Sequence, residues 1–275
     1  MIPGILKAEI LMSLSVCSRP VAIVTGSFRG IGRSCAMGLA RAGFNILLND
    51  RDSDSNRELA PQFERELAEL GADSLAALGD VAELDFHKTL LDAALARWGR
   101  VDCLVNNAGV PAHRRGDLLD VQPGSFDDCI LVNTRAVFFL SQTIARYMVA
   151  NEPQDGTHRS IINITSSNVK AVSIARGEYC VSKAATSMTT KLFALRLAPT
   201  GIGVYEVRPG IIDTDLTRPA RAIYDKMIAE HGVPMERWGY PSDVASTVVC
   251  MAEGRLIYTV GQAIAVDGGL VMPRY

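Results

Sequence analysis

Nowhere in this chain of 275 residues is there an apolar run approaching the roughly 18 residues that a membrane-crossing helix requires, so no membrane partner is expected. An excess of charge of one sign is also missing. Lys+Arg 28 against Asp+Glu 30 leaves a formal net charge of -2. No global field therefore draws the chain to nucleic acid or anionic lipid, and no nucleic-acid partner is expected. Histidine is scarce, at four residues, and the six cysteines (Cys17, Cys35, Cys103, Cys129, Cys180 and Cys250) include no C-x-x-C pair. Neither a disulfide framework nor a metal site is indicated. Repeats and low-complexity segments are absent as well. With 48% hydrophobic and 21% charged residues, the composition excludes disordered, collagen-like and coiled-coil classes.

What is present is enough chain for one large domain or two small ones, and no shift of composition marks a second. Residues 21–275 are expected to form a single domain. Ahead of them, the apolar part of the N-terminal stretch, Ile10 to Cys17, is short and interrupted by serines, a weak match to a signal peptide. Against that reading, a core strand begins at once at Val21, and isolated cysteines suit a reducing compartment. The expectation is a cytoplasmic protein with a loose extension over residues 1–20.

Short apolar runs alternate with stretches of helical period, the mark of βαβ units in a parallel sheet. Strands are predicted at Val21–Thr25, Phe44–Leu48, Ser74–Leu78, Val101–Val105, Ser160–Thr165, Val204–Val207 and Ala263–Val266. Helices are predicted at Gly30–Ala42 and over about 54–70, 83–98, 125–150 and 179–198, with a helical piece at Arg221–Glu230. The runs are near-continuously apolar, as strands covered on both faces should be. Two segments read as loops. Asn151–Arg159 is a polar surface excursion, and 214–240, punctuated by Pro219, Gly232, Pro234 and Gly239, lies where a substrate lid would sit.

The first predicted strand runs into Thr25-Gly26-Ser27-Phe28-Arg29-Gly30-Ile31-Gly32 and then a helix. Glycines there let the backbone approach a pyrophosphate while the helix N-terminus offers free N–H groups. Asp50, 20 positions beyond Gly30, ends the second strand, where a carboxylate accepts from ribose hydroxyls; its bland alternative is a turn. Asp80 and Val81 follow the third strand, and Asp80 either meets an adenine edge or caps the next helix. The most specific pattern is Tyr179-x-x-x-Lys183. At positions i and i+4 of a helix the ammonium lies near the phenol, favours phenolate and lowers a pKa of about 10. Such a phenol exchanges protons near neutral pH. Ser166 ends a strand where open α/β sheets bind ligands, and Asn106-Asn107-Ala108-Gly109 ends another at the same rim. Asn133, in an apolar stretch, is either a structural tie or part of a proton relay. His113-Arg114-Arg115 follows closely enough to reach a substrate mouth and hold an anion, or is simply a solvated basic turn.

Taken together and in this order, these motifs resemble the short-chain dehydrogenase/reductase family from about Arg19 onward, with Pro209-Gly210 as a further match. The resemblance implies a single doubly wound parallel sheet of Rossmann-like type with helices on both faces. It implies hydride transfer between a nicotinamide cofactor and a secondary alcohol or ketone. It selects Ser166, thirteen positions before Tyr179, as the catalytic serine, with Asn133 in the relay and Lys183 beside the ribose. Gly26, Arg29, Gly30, Ile31, Gly32, Asp50, Asp80, Val81, Asn107, Ala108, Gly109, Tyr179, Lys183, Pro209, Gly210, Ile212 and Thr214 are the implied cofactor contacts. NAD is expected ahead of NADP because Asp50 would repel a 2′-phosphate, although Arg29 and Arg51 argue the other way. The general tenor is closest to 3-oxoacyl carrier-protein reductases, with a carbonyl substrate that is small or carrier-bound; sugar or polyol dehydrogenases are the alternative. A homotetramer built on the helices around 125–150 and 179–198 and on the last strand is also implied. A rival of another class, a cofactor-binding regulator without turnover, would not need Tyr179, Lys183, Ser166 and Asn133 together.

Overall fold

The computed structural model describes residues 19–153 and 155–273. Seven strands form one sheet: β1 (Val21–Thr25), β2 (Asn45–Asn49), β3 (Ser74–Ala76), β4 (Cys103–Asn106), β5 (Ser160–Ile164), β6 (Gly203–Pro209) and β7 (Ala263–Val266). Their order is β3-β2-β1-β4-β5-β6-β7 and every neighbouring pair is parallel. The strand order reverses beside β1, which pairs with β2 on one side and β4 on the other, so a crevice opens at the carboxyl ends of these strands.

Alternation along β1 builds the two faces. Ala22 and Val24 join a core with Cys35 and Leu39 of α1 (Gly30–Arg41), Phe63 and Leu67 of α2 (Asp54–Glu69), and Val244 and Val248 of a C-terminal helix at Pro241–Ala252. Val21 and Ile23 point the other way. They pack with Leu90 of α3 (Leu84–Trp98), with Leu140 and Ile144 of a helix at Val137–Ala150, and with Leu197 at the end of the helix Gly177–Leu197. In chain order α4 is Pro123–Ile130, α5 is Val137–Ala150, α6 is Gly177–Leu197, α7 is Arg221–Ala229 and α8 is Pro241–Ala252. Truncating a core residue such as Ile23 on either face costs about 2–5 kcal/mol, the usual penalty for a cavity between two layers.

Four departures from the sequence reading have physical reasons. The helix expected over 125–150 is interrupted: between α4 and α5, Leu131–Ala136 winds as a π-turn. The strand expected at Val101 starts two residues later, because Asp102 folds its carboxylate back to accept from Val21 N at 2.9 Å and pairs with Arg100. Helix α8 is missing from the sequence reading, although Pro241 at its first position and buried Val244, Val248 and Met251 carry its signal. Asn151–Arg159 is not a free excursion: Asp155 pairs with Arg100 at 2.6 Å, and the buried Arg159 donates to Met148 O. The extension over 1–20 falls outside the described residues as far as 18. Arg19 is held by Gly43 O and Gly71 O.

The segment 214–240 contains α7 and a small core of its own. Ile211, Ala220, Tyr224 and Val233 pack together, and Tyr224 meets Trp238 edge-on with ring centroids 5.8 Å apart.

Candidate active site

The crevice begins where β1 ends. Gly26 and Gly30 sit at φ +62° and +50°, a backbone state that side chains rarely tolerate. Gly32 is required by proximity, since a Cβ there would lie 2.0 Å from Gly26 O and 2.5 Å from Asn107 Nδ2. Arg29 precedes α1 without a side-chain cap, so the helix opens with unsatisfied N–H groups. Thr214, arriving from beyond β6, would stand 3.2 Å from a Cβ at Gly30, which brings the 210–214 segment against the loop. Ile212 beside it is buried, and Thr214 N donates to Thr217 Oγ1. Gly210, after Pro209, donates to Val266 O. A cradle with no room for side chains, uncapped helix N–H groups and a wall at Thr214 fits a pyrophosphate-containing dinucleotide.

Asn107 and Ala108 serve the loop from behind. The Asn107 amide donates to Thr25 O at 2.9 Å and Gly26 O at 3.0 Å, while both backbone N–H groups donate to Thr25 Oγ1. The side chain expected to touch the cofactor is therefore spent on bracing the turn. At the far end, Asp50 accepts from Arg51 N at 2.9 Å and from the Asn56 amide at 3.3 Å. Asn56, 5% exposed and missed by the sequence reading, also accepts from Arg29 at 3.2 Å. It thus joins the basic residue of the glycine loop to the acid at the end of β2, and Arg29 turns toward Ser55 and α2 instead of over the glycines. Asp80 caps no helix. It closes a turn on Ala82 N, and α3 begins only at Leu84; the buried Val81 passes its carbonyl to His87.

Ser166, Tyr179 and Lys183 come together at the carboxyl end of β5. Ser166 follows that strand, its Oγ accepts from Asn168 N at 3.1 Å, and it stands close enough to the Tyr179 hydroxyl to lower its pKa. Lys183, one helical turn after Tyr179, is buried, donates to Ile164 O at 3.1 Å and lies 5.8 Å from the Tyr179 ring centroid. Gly109 links this group to the glycine loop, since a Cβ there would be 3.3 Å from Lys183 Nζ and 3.0 Å from Asn133 Oδ1. The electrostatics correct one expectation. Burial raises the phenol of Tyr179 above its ordinary range; Ser166 and Arg176 pull it down, and Lys183 is not the main counterweight. Burial also lowers the Lys183 ammonium to about 8.

Asn133 sits in the π-turn, wholly buried. Its amide donates to Val110 O and Ser182 Oγ and its oxygen accepts from Val110 N, so the side chain ties the β4 loop to α6. Beneath the group lies Glu206, also fully buried. It accepts from Thr165, Ser187 and Arg208, the last at 2.7 Å.

The turn at 113–115 is divided in its partners. His113 pairs with Asp128 on the surface. Arg114 is exposed. Arg115 donates to Tyr224 Oη at 2.8 Å, with its guanidinium carbon 5.3 Å from that ring. Arg176, which the sequence reading passed over, lies 5.6 Å from the Tyr179 ring. Its signal was only its place three residues before Tyr179. Among the described residues no group of His, Cys, Asp and Glu is arranged to hold a metal, the cysteines are free, and no helix is long and apolar enough to cross a membrane.

This fold and crevice define a Rossmann-like oxidoreductase that uses NAD or NADP. A family model described as Enoyl-(Acyl carrier protein) reductase matches residues 26–271. The chain is 35% identical over 252 residues to 2-dehydro-3-deoxy-D-gluconate 5-dehydrogenase of Escherichia coli, covering 90% of this chain and 94% of that protein. Among solved structures, 3-oxoacyl-[acyl-carrier protein] reductase from Brucella melitensis in complex with NAD superposes with a TM-score of 0.88 and 42% identity, over 94% of this chain and 99% of that one. A putative 2-deoxy-d-gluconate 3-dehydrogenase from Agrobacterium tumefaciens with bound NADP gives 0.79 and 30%, over 94% and 99%. The chain belongs to the short-chain dehydrogenase/reductase family.

Proposed function

We propose that Tyr179 is the general acid and base of a reversible hydride transfer between a nicotinamide cofactor and a ketone or secondary alcohol, with 3-oxoacyl thioesters as the first substrate class. The observation that carries this reading is the meeting of Ser166, Tyr179 and Lys183 at the end of β5, joined through Gly109 to the glycine loop. The cofactor, when bound, supplies or accepts the hydride. Ser166 orients the substrate oxygen by donating to it. Tyr179 gives that oxygen a proton in reduction and removes it in oxidation. Lys183 holds the nicotinamide ribose, and its charge favours phenolate when the alcohol is oxidised. Asn133, whose side-chain amide ties the β4 loop to α6, supports the water chain of the proton relay by holding that region in place. Gly26, Gly30, Ile31 and Gly32 cradle the pyrophosphate, Pro209, Gly210, Ile212 and Thr214 line the nicotinamide end, and Asp80 and Val81 border adenine.

NAD is the preferred cofactor in this reading. Asp50 keeps acceptor capacity for ribose hydroxyls and would repel a 2′-phosphate, and Arg29 is already engaged by Ser55 and Asn56. A second substrate reading, a sugar acid or polyol, is supported by the sugar-acid relative and by two guanidinium groups at the mouth. Exposed Val181, Met188, Leu192 and Leu195 on α6, with Ile257, Tyr258 and Met272 flanking β7, support a homotetramer. The unpaired cysteines support a cytoplasmic setting. Tyr179→Phe tests the mechanism. Turnover should fall by at least about 10²-fold with NADH binding unchanged, and wild-type turnover in that variant overturns the role of Tyr179.

A further inference from the structure

Arg176 ends a short 3₁₀ turn, Ile174–Arg176, that delivers the chain into α6 three residues before Tyr179. One arm of its guanidinium is fixed: Nη2 donates to Asn168 Oδ1 at 2.7 Å. Asn168 is itself immobilised. It is 8% exposed, donates to Ala171 O at 2.7 Å, and its backbone N–H donates to Ser166 Oγ at 3.1 Å. The cation is thus held at a set distance from both Ser166 and Tyr179. Its Nε is buried yet has no hydrogen-bond partner. Among the described residues Arg176 enters no ion pair.

The acids of the surrounding segments make no pair with Arg176. Glu178 accepts from Ser125 Oγ at 2.7 Å through one oxygen while its second oxygen is buried with no hydrogen-bond partner, Asp128 pairs with His113, and Asp213 pairs with Arg221. Across the mouth Arg115 is held by a neutral partner, the Tyr224 hydroxyl, and the 113–116 turn is tied beside Arg176 by Gly116 N donating to Ala175 O. A fixed guanidinium with an unmet buried donor is costly unless an acceptor arrives, and a planar carboxylate matches its fork.

We propose that Arg176, with Arg115 as a second cation, binds a carboxylate carried by the substrate, so that the alcohol or ketone acted on belongs to a hydroxy or oxo acid. This rests on the reading of Tyr179 and Ser166 as the reacting site and selects the acid substrates over a neutral thioester chain. It also adds to Arg115 of the 113–115 turn a further cation, three residues before Tyr179.

The test uses the full chain with NAD or NADH and two matched pairs: 3-oxobutanoate against its methyl ester, and gluconate against gluconamide. The wild type should bind and turn over the acids in preference to their neutral partners. Arg176→Gln should raise KM for the acids by about 10- to 100-fold, the range for a lost charge-assisted contact, with KM for the neutral partners unchanged; any fall in kcat from losing the Arg176 charge beside Tyr179 is shared by both members of each pair and cancels in their ratio. Arg176→Lys should recover part of the loss. Calorimetric titration of each acid into the NADH-saturated protein reads the same site without turnover. Failure of the tyrosine mechanism, seen as a fully active Tyr179→Phe, is therefore distinguishable from failure of the carboxylate site. A wild type with no preference for the acids, including one that binds none of the four compounds, overturns the proposal. So does an Arg176→Gln variant that weakens acids and neutral partners alike.

Discussion

Two arginines border the same crevice, and their surroundings differ in kind. Arg29, at the adenosine end, spends its guanidinium on Ser55 and Asn56, and Asn56 passes the connection on to Asp50. Arg176, at the substrate end, is held by one amide and keeps a buried donor unmet. Both cations are held through Nη2, but Arg29 is exposed and water meets its remaining donors, whereas the buried Nε of Arg176 meets neither water nor protein and is left for an acceptor from outside. At the closed extreme is the Glu206–Arg208 pair beneath Ser166, where every carboxylate oxygen is engaged and no solvent reaches the acid.

The largest effect is expected where closure is most complete. Glu206→Ala leaves Arg208 buried without its counter-charge and should cost about 3–5 kcal/mol in urea unfolding, the penalty for breaking a buried pair. A loss below about 1 kcal/mol would show that Glu206 is not holding that layer together. Next, Gly32→Ala places a methyl group 2.0 Å from Gly26 O, so NADH affinity should fall by about 100-fold while the sheet survives. Fluorescence titration with NADH and a thermal melt separate the two.

Smaller effects sharpen the contrast between the arginines. Asp50→Ala should move the NAD to NADP ratio of kcat/KM about tenfold toward NADP, since one repulsive charge is removed near the phosphate position. Asn56→Ala, by releasing Arg29, should move it the same way by a few-fold, on the order of a single hydrogen bond. An unchanged ratio in Asn56→Ala would mean that the Arg29 network is structural only.

The pH profile offers the mildest perturbation. The Lys183 ammonium of the cofactor-free protein is lowered by burial to about 8, so its charged form dominates below that value and is lost above it. In the reductive direction kcat/KM for NADH should be flat below pH about 8 and fall above it, because charged Lys183 is the form that grips the ribose. A profile flat to pH 10 would remove Lys183 from that role.

Much of the fold was legible because its signals are local. Each buried strand is a run of apolar residues, and the glycine loop and the Tyr179-x-x-x-Lys183 pair lie within single turns of chain. The shortfalls come from places where distant segments decide. Helix α8 has a local signal in Pro241 and the spacing of Val244, Val248 and Met251, but its apolar face finds its reason only in α1, on which it packs. The π-turn around Asn133 opens a helix whose sequence reads as continuous, since the Asn133 amide is held by Val110 and Ser182.

The sequence by itself determined the parallel sheet, the glycine loop after β1 and the placing of Tyr179 and Lys183 one helical turn apart, because strand burial, backbone turns and an i,i+4 pair depend on residues close together in the chain. Only the tertiary structure decided how Arg29, Asn56 and Asp50 join, that burial raises the Tyr179 phenol against the pull of Ser166 and Arg176, and that Arg176 comes to lie beside Tyr179 with a buried donor unmet. Those properties are sums over neighbours brought together from different strands and helices, and charge and solvation depend on distance in space, which the order of residues does not contain.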